Sequence, residues 1–76
     1  MLFKISKDGE DVTWLTTFSL DEAVAHVLVE YVLKGDDYDP EDAGLLPVVA
    51  YYKVWGLFRV RDDGTLKRTG YSLEEK

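Results

Sequence analysis

Val48-Val49-Ala50-Tyr51-Tyr52-Lys53-Val54-Trp55-Gly56-Leu57-Phe58-Arg59-Val60-Arg61 decides the fold class. The run is rich in Val, Tyr, Trp and Phe, the residues that suit a pleated, half-buried surface. It reads as the longest strand of the chain, with Gly56 marking a bulge or bend inside it. If Val54, Phe58 and Val60 face the core, period-two alternation turns Tyr51, Lys53, Trp55, Leu57, Arg59 and Arg61 outward.

Downstream, Asp62-Asp63-Gly64 is a turn. A three-residue loop with Gly64 in the left-handed bulge position pairs Arg61 with Thr65 and Val60 with Leu66, which puts the two apolar residues on one face. A two-residue turn would set Val60 against Lys67 instead. The last strand then covers Thr65 to Tyr71, and Ser72 to Lys76 reads as a charged, frayed tail.

Upstream, Pro47 opens the extended run. Asp39-Pro40 reads as an N-cap followed by a proline at the first helical position, and with Gly44 as a stop it predicts one short helical turn. Ser19-Leu20-Asp21-Glu22 is a capping box: the Ser19 hydroxyl accepts from an orphan amide, and Glu22 reaches back to the Ser19 amide. The helix it opens runs to a stop at Gly35. Leu20, Val24, Val27 and Tyr31 fall on one stripe with Leu28 beside it, and that stripe packs on the sheet. Val29 and Leu33 lie near the opposite side and need a cover of their own, from a loop, a second copy or a partner. At the N-terminus, Asp8-Gly9 is a two-residue hairpin turn. Centring it there pairs Lys7 with Glu10, Ile5 with Val12 and Phe3 with Trp14. The order is ββαββ: one α+β domain over residues 1–76, with an antiparallel sheet, one main helix on one face and a short helical turn before the third strand.

Composition narrows function. The chain has 76 residues, 46% of them hydrophobic, and no cysteine, so it holds neither a disulfide nor a thiolate metal site. The N-terminus turns polar at once, unlike a signal peptide, and no apolar run approaches the roughly 20 residues of a membrane span. The expected location is the cytoplasm. Net charge is −6. Met1 to Leu46 carries 3 Lys against 11 carboxylates, a net −8, and Pro47 to Lys76 carries 6 cations against 4 carboxylates, a net +2. The two halves therefore suit different partners.

No catalytic constellation is expected. His26 is the single histidine, with Glu22 and Glu30 one helical turn away, and reads as a surface pair. No second His or Cys completes a metal shell, and no phosphate loop or nucleophile motif occurs. Two surfaces remain for binding. Asp36, Asp37, Asp39, Glu41 and Asp42 form an acidic run whose spacing does not match a calcium loop. It suits docking on a basic cleft, with carboxylates standing where phosphates would. Tyr51, Trp55, Arg59 and Arg61 form an aromatic–basic hairpin face, which suits a protein contact or stacked bases.

The function expected is thus a non-enzymatic protein-binding module without cofactor or metal. Its partner is a protein, a basic nucleic-acid-binding one included. Small acidic cysteine-free α+β domains of this size and charge look like virus-encoded inhibitors of host or defence proteins, including inhibitors of CRISPR nucleases and DNA mimics. That likeness implies surface blockade, in the host cytoplasm. The alternatives are nucleic-acid binding through the C-terminal hairpin, and a homo-oligomer, a dimer for example, joined through Val29 and Leu33.

Overall fold

The structure is a computed structural model that describes residues 1–35 and 42–76, and only the backbone at 42 and 43. Strands β1 (Leu2–Lys7) and β2 (Glu10–Thr16) are followed by helix α1 (Leu20–Val27), which continues as a π-helical segment over Leu28–Val32. Then come β3 (Asp42–Tyr51), β4 (Val54–Arg61) and β5 (Leu66–Glu75). The five strands form one sheet in the order β2-β1-β5-β4-β3, every neighbour antiparallel. The α+β class and the helix lying on one face of an antiparallel sheet are as expected from sequence. No helix among the described residues is long and apolar enough to cross a membrane.

The strand count differs, because the run read as one long strand is folded in two. Tyr52 and Lys53 make the reversal between β3 and β4, with Lys53 at φ 59°. Of the expected helical turn over 39–44, residues 39–41 lie outside the described residues, and Asp42 to Gly44 belong to β3 instead.

The tail is the second correction. Residues 72–75 belong to β5, which runs between β1 and β4 in the interior of the sheet. Leu73 is fully buried, and the Glu75 and Lys76 amides donate to the Lys53 and Leu2 carbonyls. A single apolar residue among charges looks like a tail, yet alternation sends Tyr71, Leu73 and Glu75 to one side, which suits a paired strand.

Both glycine turns form as expected. Asp8 and Gly9 have φ 49° and 86°, the left-handed pair that a two-residue hairpin needs. Gly64 has φ 86°, the Arg61 amide donates to the Thr65 carbonyl, and Val60 pairs with Leu66. The N-terminal register holds only at the turn. Lys7 pairs with Glu10, but Val12 is bulged out, so Lys4 meets Trp14 and Phe3 meets Leu15. Leu15 consequently packs on the core while Trp14 turns to the other face, 54% exposed. β2 lies at the edge of the sheet, where bulges are common.

The helix starts where the capping signal places it. The Glu22 amide donates to Ser19 Oγ at 3.1 Å, and the Glu22 carboxylate accepts from the Phe18 amide, one residue before the one expected. Past Val27 the winding widens: the Leu33 amide donates to the Leu28 carbonyl, five residues back. This turns Val32 into the core and leaves Tyr31 half-buried against the Tyr71 ring. The core is Phe3, Ile5, Ala23, Val24, Val27, Val32, Leu57 and Leu73.

Candidate functional site

Strand β4 sets which side of the sheet each residue serves. Leu57 and Arg59 are 1% and 3% exposed, and Trp55 packs edge-on against Phe3 with ring centroids 6.2 Å apart. Trp55, Leu57 and Arg59 therefore face the helix, and Val54, Phe58 and Val60 face away. This is the reverse of the phase expected from sequence. The aromatic–basic hairpin face does not assemble: Trp55 and Arg59 lie under the helix side, Tyr51 stands 75% exposed beside the Tyr52-Lys53 reversal, and Arg61 is exposed at the far end of β4.

The reversal creates a different surface. Cross-strand partners share a face. Leu46 pairs with Phe58, Val48 with Gly56, and Val60 with Leu66. Leu46, Val48, Phe58, Val60 and Leu66 thus form one apolar patch on the face that no helix among the described residues covers. All five are half-buried or exposed, Leu66 reaching 48%.

Beside that patch is a hollow. β5 carries a wide bulge: Gly56 pairs with Ser72 and Phe58 with Arg68, so Leu57 alone opposes three residues. Thr69 satisfies the polar groups there, its hydroxyl donating to the Leu57 carbonyl at 2.6 Å and accepting from the Tyr71 amide at 3.0 Å. Gly70, at φ 85°, accepts from the Asp8 amide through its carbonyl and so ties the first hairpin to the bulge. Gly9, Gly56 and Gly70, all without side chains, border with Phe58 a depression of about 160 Å³.

Across the sheet this patch grades into charge. Trp14, Lys4, Glu74, Val54 and Tyr51 follow one another along the pairing, one from each strand. Lys4 pairs with Asp11 at 3.4 Å. Lys76 bonds the Glu74 carboxylate and, with its charge, holds that carboxyl below its ordinary value.

The other sequence-derived candidates are distributed as follows. Asp36, Asp37, Asp39 and Glu41 lie outside the described residues, and Asp42 begins β3, at the edge of the sheet. Val29 and Leu33 are exposed on the helix, 50% and 43%. His26 rests edge-on against Tyr31. Among the described residues no three His, Cys, Asp or Glu side chains gather as a metal site. The apolar patch was missed because Phe58 and Val60, with Leu66 on the same face, were assigned to the core. The signal that was available is that both phases of β4 are apolar, so one of them had to remain outside a single-helix layer. No family model, curated protein or solved structure matches this chain.

Proposed function

We propose that this chain is a non-enzymatic protein-binding module that works through the open face of its sheet. The observation supporting this is the uncovered patch of Leu46, Val48, Phe58, Val60 and Leu66 beside the glycine-bordered hollow. Contiguous exposed apolar surface usually marks a contact site. A hollow of about 160 Å³ has room for one inserted side chain, the arrangement in which an anchor residue carries much of the binding energy. The net charge of −6 steers the module towards a basic partner, since complementary fields raise the encounter rate. In this reading the acidic run from Asp36 to Asp42 contributes attraction and the apolar face contributes hold. The corresponding role is an inhibitor that covers its target's surface, such as that of a nucleic-acid-binding protein.

The test is a photo-crosslinking residue placed at Val48 or Leu66 in the full chain, with Glu10 as the control position, in lysate of the native host. The expected result is an adduct of one defined partner at 48 and 66, absent at 10 and abolished by Leu46→Asp. A product of twice the chain mass would assign the face to a homodimer instead. No adduct at either position would overturn the reading.

A further inference from the structure

On the helix side of the sheet, under the end of the π-helical segment, is a pocket of about 210 Å³. Its described lining includes Lys7, Arg59, Lys67 and Arg68, the rings of Tyr31 and Tyr71, and no carboxylate. Strand pairing forces these charges together. Arg59 and Lys67 are direct cross-strand partners, with Cβ atoms about 4.5–5.5 Å apart in such pairs, and like charges so placed repel. Lys7 arrives from β1 opposite Tyr71. Its ammonium lies 4.4 Å over the Tyr71 ring and donates to the Thr69 carbonyl at 2.8 Å. An ammonium has three donors, so this position leaves capacity for a further acceptor. Among the described residues neither Lys7 nor Lys67 has a carboxylate within ion-pair distance. Arg59, at 3% exposure, lies buried in the floor.

We propose that this pocket binds a phosphate dianion, either free or carried by a small organic molecule. Lys7 and Lys67 donate to the phosphate oxygens, and the two tyrosine rings form the apolar wall. The volume exceeds that of a phosphate ion and falls below the range of about 300–1,000 Å³ typical of drug-sized ligands, which limits the organic part to a small one. The pocket and the apolar patch lie on opposite faces of the sheet, so this site stands or falls separately from the protein-binding reading.

The experiment is an amide NMR titration of the full chain with sodium phosphate and, separately, with adenosine monophosphate, at ionic strength held constant with chloride. The expected result is saturable shifts confined to Lys7, Gly35 and residues 67–71. Lys67→Glu should weaken binding about tenfold or more, as expected for losing a charge-assisted hydrogen bond, while Lys67→Arg retains it. Both variants should keep the dispersed spectrum elsewhere, because Lys67 is exposed. Tighter binding of adenosine monophosphate identifies an organic phosphate whose body reaches the tyrosines, and equal affinity identifies free phosphate; either result upholds the site. No saturation by about 10 mM, or binding by Lys67→Glu equal to that of the native chain, would overturn it.

Discussion

At Gly70 two demands meet. Its backbone has φ 85°, and a Cβ added there would collide with the Asp8 carboxylate. Gly64 has nearly the same φ, 86°, but open space around it. The left-handed conformation alone costs a side-chain-bearing residue about 1–2 kcal/mol. Gly64→Ala and Gly70→Ala should therefore each lose about 1–2 kcal/mol, Gly70→Ala the more because the exposed Asp8 side chain must swing aside; urea unfolding of the two variants measures the difference. Gly64 was legible because Asp-Asp-Gly is turn chemistry. Gly70 was not, because its crowding comes from a hairpin tip distant in sequence. Asp63 provides a pH test. Its carboxylate accepts from the Thr65 amide and hydroxyl, and these bonds hold its carboxyl below the usual Asp value. A lowered folded-state value means stabilisation that is present above the unfolded value and is lost as pH falls through the folded one. Asp63→Ala should lower the thermal midpoint at pH 7, and the gap from the native chain should close below about pH 3.9.

Among the elements, the sequence reading succeeded wherever a local signal had a single meaning. Ser19 caps the helix, and Asp8-Gly9 and Gly64 reverse the chain. It failed where two arrangements were locally equivalent. The Tyr52-Lys53 reversal contains no glycine, proline, Asn or Asp, so β3 and β4 looked continuous. Pro47 in β3 lies on an edge strand, the place where a missing N–H is tolerated, but that placement became apparent only once the turn was known. Lys53→Gly should stabilise the chain by about 0.5 kcal/mol, the left-handed penalty of about 1–2 kcal/mol being offset by the greater chain entropy of glycine, about 0.5–1 kcal/mol. Chemical denaturation would check the sign. β5 is the stricter case. Leu73 is fully buried between β1 and β4. Leu73→Ala should cost about 2–5 kcal/mol, a large share of the net stability of roughly 4–11 kcal/mol expected at this length. Deleting residues 72–76 should abolish the cooperative transition in circular dichroism; a truncated chain that still unfolds sharply would contradict the interior position of β5.

For the molecule as a whole, one short helix covers one side of a five-stranded sheet, and apolar residues on the other side are left over. The sequence showed the alternation of β4 but not its phase. Trp55 and Leu57 compete with Val54, Phe58 and Val60 for the core, and the charge of Arg59 argued for the wrong side. Surface charge at the open face should cost little in folding. Val48→Lys with Leu66→Lys should stay within about 0.5 kcal/mol of the native chain for each change, so any loss of partner capture by that double variant can be read as binding rather than unfolding. The strand order also has a consequence in time. During synthesis the first hairpin and the β3–β4 pair emerge early but remain separate, because the strand that joins them is made after both. Until residues 66–75 clear the ribosome, each half has an unpaired edge and an unsealed apolar side, a state in which nascent chains are prone to cluster. The closing contacts are also among the most distant in sequence, which slows assembly. The nascent polypeptide is therefore most vulnerable in the interval between the emergence of β4 and that of β5.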